Sequence, residues 1–252
     1  MRSLHAIAAI AGQVLVEGAR SRLPWVLGGL TALVVALARL AGAVALTESA
    51  QSQAAIGGAL LRLTAVLVTS GFVVTSVARE QADQADRLVF ALALPRAAWL
   101  LGKLAGFALA AAVPALLFTL LAMRVSDAPS ALVWGATLWC ELWIVAAFAL
   151  LCAVGMGSAL AALAATAAFY LLARAIGDLA RLAHEQGGSK LTDTVIDALA
   201  ALLPHLDGFA RADWLAYGDA GLAQLAPALA QTALAVTLLT AAALFDLYRK
   251  PL

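Results

Sequence analysis

The chain has 252 residues, of which 64% are hydrophobic and 12% charged, and its formal net charge is +1. Soluble domains carry about 25% charged residues, so this composition excludes an ordinary soluble protein and indicates a chain that lies in lipid. The small net charge does not point to a nucleic-acid partner. A helix needs roughly 20 apolar residues to cross a bilayer, so the length allows about six spans with short loops.

The first predicted element is an amphipathic helix over residues 3–20, within an N-terminal region of residues 1–22. Its apolar positions, such as Leu4 and Leu15, alternate with Gln13 and Glu17 at helical spacing, which is typical of a helix that lies in the membrane interface. Six transmembrane helices are predicted to follow, so the expected fold is an all-α integral membrane protein. The predicted spans are 23–46, 55–78, 99–123, 131–154, 158–180 and 221–245.

Lysine and arginine positions predict the orientation of these spans, because cytoplasmic loops carry an excess of both residues. With the N-terminus inside, nine fall on the cytoplasmic side, four on the outer side and three within spans. Both termini are therefore predicted to be cytoplasmic. Three tryptophans near span starts and a tyrosine after the last span are predicted to be interfacial anchors. These aromatic residues are Trp25, Trp99, Trp134 and Tyr248.

A short segment between the second and third spans concentrates charge in a chain that otherwise has little. It holds five charges in nine residues, at Arg79, Glu80, Asp83, Asp86 and Arg87. The positive-inside rule explains the arginines but not the acids between them. Mixed charge followed by the apolar run 88–94 indicates a cytoplasmic helical element that docks a protein partner, and the alternative is a solvated loop.

The layout and this segment resemble the permease subunit of type-2 ABC (ATP-binding cassette) exporters. In that family an acidic segment after the second span, then a leucine-rich run, Pro, Arg and Gly-Lys, forms the cytoplasmic coupling element. Many members carry Gly-Thr a few residues after the Glu, where this chain reads Asp-Gln-Ala-Asp-Arg at 83–87. The matching positions are Glu80, Leu88, Leu92, Leu94, Pro95, Arg96, Gly102 and Lys103.

The resemblance implies one permease domain over residues 1–252, with a cytoplasmic coupling segment at 79–98 and an extracytoplasmic segment at 181–220. The latter, which includes "LLPHLDGF" at 202–209, is implied to form short or re-entrant helices before the last span. Within it, residues 190–204 have the apolar spacing of a helix too short to span, with Thr192 as N-cap.

The resemblance also implies a bacterial inner-membrane location and two protein partners, a separate ABC-type ATPase subunit and a second permease copy or homologue. The chain has no phosphate-binding Gly-x-x-x-x-Gly-Lys-Ser/Thr sequence. We therefore expect no enzymatic activity and no cofactor in this chain, with ATP and Mg held by the partner. The residues expected to couple to the ATPase are Arg79, Glu80, Asp83, Asp86, Arg87, Leu88, Leu92, Pro95 and Arg96.

Five ionisable residues fall inside the predicted spans, where each costs about 2.5–3.5 kcal/mol at the membrane centre. Their estimated depths all lie between the midplane and the outer surface, which indicates a shared polar space such as a translocation cavity open to the outside. The alternatives are structural ion pairs, or arginines that extend to the headgroups; a glutamate is too short for the latter. These residues are Arg39, Arg62, Glu141, Arg174 and Asp178.

Two other classes of function are alternatives to the exporter. An ion-coupled secondary transporter would use Glu141 and Asp178, and would often show an inverted repeat, which the two halves of this chain do not display. An intramembrane enzyme would need a catalytic constellation, and none stands out. Gly102 and Gly106 form a Gly-x-x-x-Gly sequence, which predicts close helix packing at the start of the third span.

Overall fold

The structure is a computed structural model that describes residues 2–44, 49–83, 95–186, 199 and 203–249, and this part of the chain forms helices with no strand. Within these residues, six helices are long and apolar enough to cross a membrane. This confirms the prediction of an all-α, multi-pass membrane protein. The helices are α1 (Arg2–Arg20), α2 (Leu23–Val44), α3 (Ser49–Ala82), α4 (Arg96–Ala122), α5 (Ala128–Gly155), α6 (Ala159–Gln186), α7 (Ala212–Tyr217) and α8 (Leu225–Arg249).

The predicted spans correspond one to one with α2 to α6 and α8, although several boundaries differ. The helix α3 extends beyond the predicted 55–78 at both ends, and α6 continues past residue 180 to Gln186. Polar residues such as those of Ser49–Gln53 and Arg79–Ala82 can continue a helix beyond the apolar run, so hydropathy underestimates its length. Most of the helix predicted at 190–204 lies outside the described residues.

The helix α5 is the centre of the bundle, and it contacts α3, α4, α6 and α8. Its span is 72% buried, as expected for a helix that is apolar on every face. It begins at an Asp127 N-cap, whose carboxylate accepts a hydrogen bond from the Ser130 amide at 3.0 Å. The same hydrogen bond holds the pKa of Asp127 below its usual value.

The N-terminal helix α1 packs against α4 through the two glycines of the Gly-x-x-x-Gly sequence. A Cβ added at Gly102 would lie 2.8 Å from the Cβ of Ile10, and one at Gly106 would lie 2.7 Å from the Cβ of Val14. No side chain fits in that space, so the close packing predicted from these glycines is confirmed.

The two ends of the bundle are distinguished by their connections. At one end lie the α1–α2 junction, residues 83 and 95 on either side of the α3–α4 connection, and the C-terminus of α8; we call this the Arg96 end. At the other lie the α4–α5 turn and residues 203–221; we call this the Arg124 end. Antiparallel succession of the spans produces this arrangement.

Two of the four predicted interfacial aromatic residues do not lie at the bundle surface. Trp99 is 5% exposed and Trp134 is fully buried, whereas Trp25 is 85% exposed. The prediction was wrong for the first two because position along a span fixes only depth, and the rotation of α4 and α5 turns these rings toward neighbouring helices.

Substitution of Gly106 by alanine is expected to loosen the α1–α4 contact, because the new Cβ would meet both Val14 and the Ala11 backbone, 3.1 Å away. Overpacking of this kind costs about 1–3 kcal/mol, measurable as a lower melting temperature by circular dichroism in detergent. Gly12→Ala is the matched control on α1, since a Cβ there meets nothing within 4 Å. Equal melting temperatures for the two variants would contradict this account of the packing.

Candidate functional site

A loop before α8 turns back into the bundle at the Arg124 end. We call residues 206–211 the inserted loop; they include a single 3-10 turn, Leu206–Gly208. Leu206 and Ala210 are fully buried and Phe209 is 1% exposed. Irregular backbone at such a position needs hydrogen-bond donors from the protein, because neither lipid nor bulk water reaches its carbonyl groups.

Two of the predicted intramembrane arginines supply those donors. Arg174 Nη1 donates to the carbonyl oxygens of Leu206 and Phe209, the latter at 2.8 Å. Arg62 Nη1 donates to the carbonyl oxygen of Ala210 at 3.1 Å. Charged donors are stronger than neutral ones, so α3 and α6 are both joined to the inserted loop.

The central helix α5 contributes two further hydrogen bonds to Ala210. Trp134 Nε1 donates to its carbonyl oxygen at 3.0 Å, and its amide N–H donates to Thr137 Oγ1 at 3.2 Å. Ala210 has a φ of 40°, a left-handed conformation that non-glycine residues seldom adopt. Such a conformation persists only where the surroundings determine it, and here three side chains do so.

Glu141 lies one helical turn below this contact, near the middle of α5, and it is fully buried. Its Oε1 lies 3.5 Å from Arg174 Nη1. A charge-assisted hydrogen bond is usually about 2.7–2.9 Å, so the two groups form an ion pair rather than a close hydrogen bond. Arg62 and Tyr170 also lie near the carboxylate. The cluster thus joins α3, α5, α6 and the inserted loop.

The structure brings together three of the five predicted intramembrane residues. Arg62, Glu141 and Arg174 share one cluster, and the two arginines turn inward instead of extending to the headgroups. Arg39 is exposed on α2 and lines a separate cavity with Arg124. Asp178 is within α6, but its side chain lies outside the described residues.

The cluster consists of two guanidinium groups and one carboxylate, and the guanidinium groups donate hydrogen bonds to backbone carbonyl groups of the inserted loop. It holds the inserted loop against the bundle in this conformation. Among the described residues, no group of three or more His, Cys, Asp or Glu side chains is placed to hold a metal ion. Movement of the loop would require Arg62 and Arg174 to exchange their carbonyl partners for other acceptors.

A second polar cluster lies at the Arg96 end, on either side of the α3–α4 connection. Lys103 Nζ forms an ion pair with Glu80 Oε1, and the Lys103 side chain is 2% exposed. The ammonium group also lies 5.8 Å from the centre of the Phe107 ring, within the range of a cation–π contact. A buried lysine is costly without such partners, so this ion pair fixes α3 against α4.

Two hydrogen bonds connect the same region to α5 and α8. Gln81 Nε2 donates to the carbonyl oxygen of Ala153 at 3.2 Å. Arg96 Nη1 donates to the carbonyl oxygen of Leu247 at 2.7 Å, and its guanidinium lies 5.8 Å from the ring centre of Tyr248. The residues that flank the α3–α4 connection are therefore joined to four spanning helices.

The predicted ATPase-coupling residues fall into three groups. Glu80 and Arg96 have partners inside the bundle, as described above. Arg79, Asp83 and Pro95 are exposed. The rest lie outside the described residues; they are Asp86, Arg87, Leu88 and Leu92. The coupling role of all nine residues stays a prediction.

The sequence analysis missed several residues that hold these clusters together. Lys103 was recognised only as a motif position, Trp134 was taken for an interfacial anchor, and Thr137 and Tyr170 were not singled out. A lysine four residues after the start of the predicted span 99–123 was the one available signal for a buried ion pair. Nothing local distinguishes Thr137 or Tyr170 from the many other small or aromatic residues of the spans.

No protein-family model matches the chain, and no curated protein matches it significantly. The two polar clusters and the sequence motif at the Arg96 end are therefore the features that indicate a function.

From the Glu141–Arg174 ion pair we expect the two single substitutions to lower the free energy of unfolding by unequal amounts. Arg174→Met should lower the free energy of unfolding by about 3–5 kcal/mol, because it leaves a buried carboxylate unpaired and removes a donor from two loop carbonyls. Glu141→Gln should lower the free energy of unfolding much less. Arg174 keeps its hydrogen bonds to the two loop carbonyl groups, and its side chain is 21% exposed and so can be solvated in part. Adding Glu141→Gln to Arg174→Met should recover part of the loss.

These free energies are measured by reversible chemical unfolding in mixed micelles. Simple addition of the two single losses in the double variant would contradict coupling between Glu141 and Arg174. Arg39→Met is the control, because Arg39 lies outside the cluster and its replacement should have little effect.

Proposed function

We propose that this chain is the membrane subunit of an ATP-driven exporter of the type-2 ABC class, in a bacterial inner membrane. The observation that carries the proposal is the buried Glu80–Lys103 ion pair, which joins α3 to α4 on either side of their connection. Both residues occupy positions of the coupling motif that the sequence resembles. The pair gives that motif a physical role, since a force on the connection would move both helices together.

In this proposal a separate ATPase subunit docks on the coupling segment, residues 79–98. Asp83 and Pro95 are exposed at the ends of the α3–α4 connection and are available to a partner. Arg96 transmits the contact to α8, and Gln81 transmits it to α5. ATP binding by the partner would then displace four spanning helices through named contacts.

The proposed exporter also needs a second copy of this chain or a homologue. The spans formed by α2, α6 and α8 are only 17%, 33% and 28% buried, so each offers an apolar face to lipid or to another subunit. Closed two-fold assemblies are the commonest arrangement of such subunits. We assign α1 to the membrane interface, because it packs on α4 at the Arg96 end and exposes Leu4 and Val16.

The second candidate is an ion-coupled secondary transporter, which Glu141 favours. A fully buried carboxylate held by a 3.5 Å ion pair is a typical group for reversible ion binding within a membrane. Transport in proteoliposomes separates the two proposals. Export that requires ATP and the ATPase supports the first, and export that requires only an ion gradient supports the second.

Cysteine labelling tests the proposed orientation, with both termini cytoplasmic. In a background that lacks Cys140 and Cys152, Asp219→Cys at the Arg124 end should react with a membrane-impermeant maleimide in intact spheroplasts. Ala85→Cys should react only after permeabilisation, because the charged segment is predicted to be cytoplasmic. Labelling of Ala85→Cys in intact spheroplasts would overturn the orientation.

Co-purification tests the ATPase partner. Tagged chain, solubilised from native membranes in mild detergent, should bring down an ABC-type ATPase whose ATP hydrolysis is inhibited by vanadate. The double variant Asp83→Lys, Asp86→Lys should retain much less ATPase, since reversed charge at an interface costs several kcal/mol when like charges meet. Glu80 is left intact, because its replacement would also break the Lys103 pair.

The matched control carries the same charge change at the Arg124 end, as Asp213→Lys, Asp219→Lys, and should retain the ATPase at the wild-type level. Absence of any such ATPase from the wild-type preparation would contradict the proposed function. If both double variants retain the same amount of ATPase, the ATPase does not dock at the coupling segment.

A further inference from the structure

A cavity of about 290 Å³ lies at the Arg96 end, between the α1–α2 junction and α3. Its charged lining residues lie toward the helix ends at the Arg96 end, which we call the rim, and its apolar lining residues lie further along α2 and α3, which we call the wall. The rim carries Arg22 and Arg79 together with Glu17, and the wall is formed by residues such as Val26, Leu30 and Leu67. The cavity is separate from both polar clusters described above.

The two rim arginines lie just beyond the apolar runs of the spans formed by α2 and α3, where lipid headgroups are expected. Arg22 immediately precedes α2, and Arg79 is in the last turn of α3; both of these helices span the membrane. Both side chains are exposed, and among the described residues neither takes part in an ion pair. A pair of guanidinium groups at this depth is a suitable site for a phosphodiester.

We propose that this cavity binds one phospholipid with a single net negative charge. Its phosphodiester lies between Arg22 and Arg79, and one acyl chain follows the wall formed by Val26, Leu30 and Leu67. The charges favour this class of lipid: two arginines, one glutamate and one anionic headgroup sum to zero. One oxygen of Glu17 is already engaged, because it accepts a hydrogen bond from Ser76 at 2.8 Å.

The apolar wall favours a membrane lipid over a soluble phosphate. The span formed by α2 is only 17% buried, so this side of a single copy is uncovered and an acyl chain can reach the cavity from the bilayer. Gly71 also lines the cavity, and a Cβ added there would meet nothing within 4 Å. The missing side chain leaves space along the wall that an acyl chain can occupy. This inference does not depend on what the protein transports.

The experiment uses delipidated protein in detergent, measured by native mass spectrometry. The protein is titrated separately with phosphatidylglycerol, phosphatidylcholine and phosphatidylethanolamine, and bound phosphatidylglycerol is then challenged with glycerol phosphate. The wild type should bind one phosphatidylglycerol saturably, and in preference to phosphatidylcholine. Arg22→Gln and Arg79→Gln should each weaken this binding about fivefold, as expected for one cation near an anionic headgroup. Gly71→Leu should abolish it by filling the cavity, with both arginines intact.

Two control variants separate this site from general attraction of lipid to the surface. Arg20→Gln removes an exposed arginine at the same end that does not line the cavity, and Gly28→Leu adds the same side chain on α2, where a Cβ meets nothing within 4 Å. Both should bind as the wild type does. Melting temperatures of all variants establish that they are folded.

Four results would overturn the proposal. If Gly71→Leu binds phosphatidylglycerol as tightly as the wild type does, the lipid is held by general attraction to the protein surface and not in the cavity. If the wild type binds phosphatidylcholine as tightly as phosphatidylglycerol, the cavity does not select lipids by charge. If it binds phosphatidylethanolamine as tightly as phosphatidylglycerol, Glu17 pairs with a headgroup amine and the site does not select an anionic lipid. Displacement of the lipid by equimolar glycerol phosphate would mean that the site recognises the phosphate alone.

Discussion

Polar groups inside a membrane-spanning bundle must find partners within the protein, because lipid offers none. This chain meets that constraint with long cationic side chains. Arg62 and Arg174 donate to carbonyl groups of the inserted loop, and Lys103 pairs with Glu80. Each of these contacts joins different segments of the chain, so the contacts that satisfy buried polar groups also fix how the helices sit around α5.

The helix α3 carries a member of each polar cluster, Arg62 toward the Arg124 end and Glu80 at the Arg96 end. The two positions are 18 residues apart on one helix, or about 27 Å at 1.5 Å per residue. A helix of this kind transmits displacement along its axis with little loss. In the proposed exporter, α3 would therefore carry movement of the coupling segment to the loop that Arg62 holds, without further moving parts.

The depth of each polar residue along its spanning helix could be predicted from the sequence, but the direction in which its side chain points could not. Counting residues along the spans put Arg62, Glu141 and Arg174 at one level, and these three do meet. Arg39 was put at the same level by the same count, yet it is exposed on α2, which packs mainly against α3. Trp134 failed as an interfacial anchor for a related reason, since α5 is surrounded by other helices.

The sequence by itself determined that the chain crosses a membrane, how many spans it has and where another helix packs closely on the third span, because apolar length and paired glycines act locally. Only the tertiary structure decided the partners of the buried charges. Arg174 reaches Phe209 across 35 residues, and Trp134 reaches Ala210 across 76. Such contacts depend on the rotation of each helix about its own axis and on the course of the inserted loop, and both are set by packing among all the spans together.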